Sequence, residues 1–166
     1  MMEVIEQTPA ELGYRWPAEW ERQASVWLSW PRNPATWPEH FEPVPEEFAL
    51  FVRMIAEYEL VNVLAGGTDV MAQARSLVGK VKNGVLHDIP TNDSWCRDHG
   101  PTFLTSPDNR REPALVDWEY NAWGGKYPPF DLDNEVPRKI AELQGRRRFV
   151  SGIILEGGAI DGNGQG

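Results

Sequence analysis

Fourteen prolines and fifteen glycines interrupt this chain of 166 residues, and between them no apolar run is long. Proline fixes φ and removes a backbone donor, while glycine gives up backbone entropy inside regular elements, so neither residue sits well in a long helix or strand. Short strands and compact helices joined by tight turns are what such a chain can build. No stretch approaches the ~18 apolar residues of a membrane span, and Met1 to Gln7 lacks the basic and apolar regions of a secretory leader. With 41% hydrophobic and 25% charged residues, the composition is that of a globular protein. One compact domain over residues 1–166 is the expectation from length.

Charge narrows the partners. The formal net charge of -9 argues against a phosphate backbone, since proteins that bind one concentrate Lys and Arg on a face. The one basic run, Arg146-Arg147-Arg148, is too short to reverse this and reads as a solvated strand entrance; neither nucleic acid nor membrane is an expected partner. An acidic protein draws small cations from a distance. The single cysteine, Cys96, allows no internal disulfide and suggests no structural zinc site, so a cytoplasmic location is the economical reading. Eight tryptophans suit either ordinary core packing or aromatic walls around a cleft.

Periodicity lays out the elements. Ser25 to Trp30 reads as a strand closed by Pro31, and Arg32 to Pro45, with four prolines, as a loop. Glu46 to Tyr58 puts Phe48, Phe51, Val52, Ile55 and Ala56 at helical spacing, with acids in the first turn where they favour the macrodipole. Leu60 to Ala65 is a strand, Thr68 the N-cap of a helix over Asp69 to Val78, and Gly79 its stop. Val85 to Ile89 is a further strand. Thr102 to Thr105 and Ala114 to Trp118 flank the turn-rich Pro107-Asp108-Asn109 as a hairpin. A loop runs from Tyr120 to Asp133; Asn134 caps a helix over Glu135 to Leu143, with Pro137 in its first turn and Gly145 after its end. Phe149 to Leu155 is the last strand. The order strand, helix, strand, helix, strand, hairpin, helix, strand specifies α/β or α+β, without a sequence repeat. The glycine-rich end, Gly162 to Gly166, follows a strand that lacks a partner beyond it, so the chain looks cut from a longer one.

Three segments could carry chemistry. Asn92-Asp93-Ser94-Trp95-Cys96-Arg97-Asp98-His99-Gly100-Pro101 gathers two acids, a guanidinium, a thiol, an imidazole and an indole. Read as extended from Trp95 to Asp98, alternation puts Cys96 and Asp98 on one face and Trp95 and Arg97 on the other; a polar loop in which Arg97 pairs with an acid is the plainer alternative. Cys96 beside His99 invites a thiolate–imidazole pair, yet in an extended segment the two would point apart, so a bystander thiol is expected. Glu156-Gly157-Gly158 leaves a carboxylate at a strand end, where two glycines let a ligand or another backbone approach, or simply form a bulge. Asn121 to Phe130 joins aromatics to Gly and Pro, as a pocket wall or as a packed surface loop. Asp161 to Gly166 lacks the glutamate of a calcium loop, and no metal is expected there.

Together these segments resemble the agmatine deiminase family, allied with bacterial-type peptidyl-arginine deiminases in the guanidine-group-modifying superfamily. Pro17-Ala18-Glu19-Trp20-Glu21 with Trp27-Leu28-Ser29-Trp30-Pro31 is similar to the family's opening signature, apart from Trp16 where Met is usual. Asn92 to Asp98 resembles its substrate-site motif, although His99 follows the Arg-Asp pair; Tyr120 to Tyr127 resembles its central loop, and Glu156 to Ile160 its glycine-flanked acid.

The resemblance implies a pentein fold, a five-bladed α/β propeller of ββαβ units, of which residues 1–166 would be the N-terminal part, the C-terminal remainder being absent. It implies hydrolysis of agmatine to N-carbamoylputrescine and ammonia without metal or organic cofactor. Peptidyl-arginine or arginine deimination is the alternative within the superfamily, and a non-catalytic, Trp-lined ligand-binding module the alternative outside it. By the match, Asp98 corresponds to the acid that holds the guanidinium, Glu156 to the second catalytic acid, and Trp95 and Trp123 to substrate-binding side chains. The partner implied is a small guanidino substrate such as agmatine; a homo-oligomer is compatible with it. The family's His-x-Asp pair and nucleophilic cysteine have no match in this chain, so it is expected to bind without cleaving.

Overall fold

The computed structural model of the chain describes residues 7–106 and 111–165. The chain divides into two compact units, one of residues 1–22, 97–126 and 134–166, the other of 23–96 and 127–133.

The second of these units is built on strands β1 (Val26–Ser29), β2 (Val61–Leu64) and β3 (Gly84–His87), all parallel and side by side in chain order. Parallel neighbours need a crossover, and the helices α1 (Val44–Ile55) and α2 (Thr68–Val78) supply it. Alternation then sorts the sheet. Val61 and Val63 of β2 are fully buried with Trp30, Ala49, Val52, Ala74 and Val78, and Val26, Leu28 and Leu86 pack on the same cluster. On the intervening positions the buried Asn62 bonds His87 Nε2 at 2.8 Å, and the His87 ring stacks on Trp27 with centroids 5.1 Å apart. Burial of a polar amide is tolerated because it is partnered. Gly66 closes the sheet end: a Cβ there would stand 2.0 Å from Pro90 N, so only glycine fits.

The other unit holds β4 (Thr102–Leu104), antiparallel to β5 (Ala114–Glu119), which is parallel to β6 (Arg147–Ile154) with a bulge between Asp117 and Glu119. Helix α6 (Val136–Gln144) buries Val136, Pro137, Ile140 and Ala141. Leu104, Ala114, Val116 and Phe149 form the core, with Leu12, Tyr14, Trp16 and Trp118 packed on it.

The predicted element order holds, and the differences have local causes. Helix α1 begins two residues earlier than its periodicity indicated and ends at Ile55, because Pro45 fits its first turn. The loop from Arg32 contains a 3₁₀ turn, Pro34–Thr36, capped by the Asn33 side chain. Thr68 is not the N-cap of α2; Gly67, at φ 100°, takes that place and Thr68 is the first helical residue. Nor does Asn134 cap α6. It belongs to the short α5 (Asp131–Asn134), and its Oδ1 accepts the Tyr120 amide at 2.6 Å, while Glu135 stands at the N-cap. Gly145 ends α6 in the left-handed region, as its position after the helix predicted. The hairpin's turn, Pro107-Asp108-Asn109, lies outside the described residues.

The arginine run is not simply solvated. Arg148 Nη1 meets the buried Asp117 carboxylate at 2.7 Å, Arg146 pairs with Glu112, and the Arg147 guanidinium lies 5.1 Å over the Phe149 ring. Burial pushes the Asp117 carboxyl up, against the pull of Arg148.

Candidate active site

The Trp95 to Asp98 segment is not extended. Cys96–His99 forms the single-turn helix α3, so strand alternation does not assign its faces. Asp98 lies on this turn, and its Oδ1 accepts the amide of Gly158 at 3.0 Å. Gly158 follows Glu156 and Gly157, and Glu156 stands at the N-cap of a 3₁₀ turn, Gly157–Ala159, directly after β6. Sixty residues of sequence separation are thus closed by one charge-assisted hydrogen bond. Both glycines are required by it. A Cβ on Gly157 would lie 2.3 Å from the Arg97 carbonyl oxygen, and one on Gly158 2.4 Å from Asp98 Oδ1. The glycine-flanked acid and the Arg-Asp motif are therefore brought together within one unit, with both acids half-buried.

Arg97 is already engaged: its Nη1 meets Glu19 Oε1 at 2.5 Å, as in the plainer alternative, where it pairs with an acid. Both partners are about half exposed, where such a pair contributes little to stability.

His99 is buried, edge-on to Tyr120 at 5.8 Å, and Tyr120 in turn is edge-on to Trp123 at 5.7 Å. Burial drives the His99 imidazole down to about 3, so it stays neutral at ordinary pH and suits a packing role. Trp123 sits in α4 (Ala122–Gly125), a turn whose four residues all have positive φ, from 51° to 81°. The Asn121 side chain accepts the Gly124 amide at 2.8 Å and stabilises this turn. For Ala122 and Trp123 the left-handed backbone costs about 1 kcal/mol or more apiece. Such strain persists only where surrounding bonds, here from Asn121, impose the turn.

Trp95 belongs to the other unit. It is 45% exposed and lies parallel to Trp37, with ring centroids 6.5 Å apart and planes at 17°. Cys96 is half-buried as a residue, but its thiol, hydrogen-bonded to Ser29, sits deep enough that burial pushes it up to about 11. A thiol raised in this way is a poor nucleophile, and the segment that carries it is helical rather than extended. Sequence reasoning passed over Asp133, a buried acid at the end of what read as a loop; an acid two residues before a helix start, with no apolar period around it, offered no signal beyond its type. Among the described residues no group of three or more His, Cys, Asp or Glu side chains could hold a metal ion, and no helix is long and apolar enough to cross a membrane.

Known proteins share this sequence and this fold. The sequence model of the Porphyromonas-type peptidyl-arginine deiminases matches residues 15–166. The agmatine deiminase of Pseudomonas aeruginosa is 38% identical over 165 residues, covering 96% of this chain and 44% of the relative; that of Stutzerimonas stutzeri is 36% identical over 170 residues, covering 99% and 45%. Among solved structures, the agmatine deiminase of Enterococcus faecalis superposes with a TM-score of 0.89 at 32% identity, over 99% of this chain and 45% of that one. A substrate-bound agmatine deiminase of C. jejuni gives 0.77 at 28% identity, over 92% and 44%. The chain spans less than half the length of these relatives, and its mixed α/β fold is part of the pentein propeller. With a family match over nearly its whole length, joined to a fold shared with solved deiminases, the chain belongs to the Porphyromonas-type peptidyl-arginine deiminase family.

Proposed function

We propose that this chain supplies the guanidinium-binding part of an agmatine deiminase, with Asp98 and Glu156 as the acids that hold the substrate cation and Trp95 and Trp123 as side chains against it. The observation that carries this reading is the bond from the Gly158 amide to Asp98, which joins the Arg-Asp motif to the turn beginning at Glu156. A guanidinium is flat, with donors in a fixed fork, so carboxylates around its rim make parallel charge-assisted bonds and keep its carbon still. A thiolate attacking that carbon then expels ammonia, and water releases the ureido product. Orientation of this kind is commonly worth ~7 kcal/mol or more of barrier. In this reading Cys96, whose thiol burial pushes up, does not supply that nucleophile.

Agmatine is favoured as substrate because the relatives quoted above are named for it. Arginine would call for a cation to meet its α-carboxylate, and Arg97, beside Asp98, pairs with Glu19 in this structure.

The test is agmatine turnover by the natural protein that carries these residues, and by its Asp98→Asn variant. A loss of about 100-fold in kcat/KM is expected, the scale that follows from truncating one partner of a desolvated charged pair. The 166-residue chain alone is expected to bind agmatine and release no ureido product. Unchanged turnover by the variant removes Asp98 from the site, while a natural protein that turns over no agmatine and binds a neutral sugar regardless of the substitution favours the non-catalytic Trp-lined module instead.

A further inference from the structure

Asn92 and Asp133 each hold the other's backbone. Asp133 Oδ1 accepts the amides of Asn92 at 2.7 Å and Asp93 at 3.3 Å. In return Asn92 Oδ1 accepts the amides of Leu132 at 2.8 Å and Asp133 at 3.2 Å, and its Nδ2 reaches Asp131 Oδ1 at 3.5 Å. Two side chains thus satisfy four backbone donors across 41 positions of sequence. Asp133 is 2% exposed, so water competes poorly for these bonds.

The fastening continues toward Trp95. Asp93 Oδ2 accepts the Thr36 hydroxyl at 2.6 Å, and its Oδ1 accepts the Ser94 amide at 2.8 Å. Thr36 and Trp37 are sequence neighbours; the first holds Asp93 and the second stacks on Trp95. Every residue from Asn92 to Trp95 is therefore held by a side chain, and the indole at the end is left 45% exposed on a rigid base. A loop without these bonds would let that ring swing with its backbone.

We infer that Asn92 and Asp133 form a reciprocal lock that positions Trp95 for the guanidino substrate. This rests on the functional reading above, and neither lock residue touches substrate in it: both are positioning residues, acting through the loop. Asp133 works as an acceptor through Oδ1, and burial already moves its carboxyl up to about 7, so a neutral amide with the same oxygen should serve nearly as well.

The experiment uses the natural protein with two readouts. In 5-fluorotryptophan-labelled protein without substrate, the Trp95 resonance, assigned by its loss in Trp95→Phe, is expected to move and broaden in Asp133→Ala and in Asn92→Ala, and to return in Asp133→Asn. In steady-state kinetics with agmatine, Asp133→Ala is expected to lower kcat/KM about tenfold, since small misplacements of a substrate-positioning group cost this much or more. The same change made in a Trp95→Phe background is expected to cost less than about twofold, the signature of residues acting as one unit. An unmoved Trp95 resonance overturns the inference whatever the enzyme does; a full tenfold cost in the Trp95→Phe background overturns it too. Should Asp133→Ala not fold, Asn92→Ala carries both readouts. A wild-type protein inert toward agmatine defeats the functional reading instead, and leaves the resonance to decide the lock.

Discussion

Asp98 Oδ1 receives the Gly158 amide at 3.0 Å, and the same oxygen stands 2.4 Å from where a Cβ on Gly158 would be. The glycine therefore both fixes the carboxylate and leaves room for it. Replacing it with alanine forces the acid aside while leaving the surrounding backbone in place. Gly158→Ala is expected to lower agmatine kcat/KM by about 10- to 100-fold through misplacement of the acid, with little change in melting temperature. Gly157→Ala, which meets the Arg97 carbonyl rather than a side chain, is expected to lower activity and melting temperature together. Thermal melts and steady-state kinetics on the pair separate the two effects, and a fully active Gly158→Ala would show that Asp98 need not stand where it does.

Gly66 marks a purely structural requirement. A Cβ there collides with the Pro90 backbone, at 2.0 Å from its nitrogen, where the Gly66 amide also donates to the Ile89 carbonyl at 3.0 Å. Backbone on both sides cannot yield as a side chain would. Gly66→Ala is expected to cost about 3 kcal/mol, the upper range for overpacking, read as a lower urea midpoint. A midpoint equal to the wild type's would mean the two segments part readily.

Cys96 is expected to be chemically quiet. With its thiol up at about 11, the thiolate at pH 8 is scarcer than in a free cysteine by roughly two orders of magnitude, so iodoacetamide alkylation of the folded protein should be slowed about as much. Cys96→Ser in the natural protein is expected to keep agmatine turnover within about threefold, because no covalent step passes through it. Rapid alkylation matched by loss of turnover would make Cys96 a catalytic candidate after all.

Stability against pH should carry two opposed slopes. Burial raises Asp133 from 3.8 to about 7 and lowers His99 from 6.5 to about 3. Native Asp133 keeps a proton that the unfolded acid releases, so its contribution is complete below pH 4 and is lost as pH climbs to 7. Native His99 refuses a proton that the unfolded imidazole takes, so its contribution is complete above pH 6.5 and is lost as pH falls toward 3. A tenfold difference in proton affinity between folded and unfolded chains is worth about 1.4 kcal/mol. Asp133 therefore contributes about 4 kcal/mol and His99 about 5 kcal/mol at most, and between pH 4 and 6.5 the two slopes offset each other. Asp133→Asn removes one of them. Its unfolding free energy, measured by urea at pH 4, 5.5 and 7, is expected to rise with pH where the wild type stays nearly level; parallel profiles would mean Asp133 does not titrate in this range.

What the sequence revealed, and what it hid, follows from the range of the forces involved. The strands and the helices α1, α2 and α6 announce themselves through apolar spacing that repeats over several residues, and Gly145 and Pro137 sit where helix ends need them. Helix α3 could not, since four residues are too few to display a period and the same run alternates equally well as a strand. Thr68 looked like a cap by residue type, but Gly67 at φ 100° had the backbone for it. Asp98 and Glu156 were singled out by motif, whereas the contact between their segments, from the Gly158 amide to Asp98, is a bond spanning sixty residues. The reciprocal bonds of Asn92 and Asp133 span forty-one, and no local pattern encodes which distant amide a carboxylate will find.

Strands β1, β2 and β3 lie side by side in the order in which they are translated, so this sheet can add each strand to an open edge as the chain leaves the ribosome. The loop carrying Trp95 emerges directly after β3, well ahead of residues 131–133, which hold it. For the time taken to make some forty further residues, the Trp95 ring belongs to a segment whose fastening carboxylate has not yet been made. The order of strands in this sheet thus follows the order of synthesis, while the hold on its Trp95 loop does not.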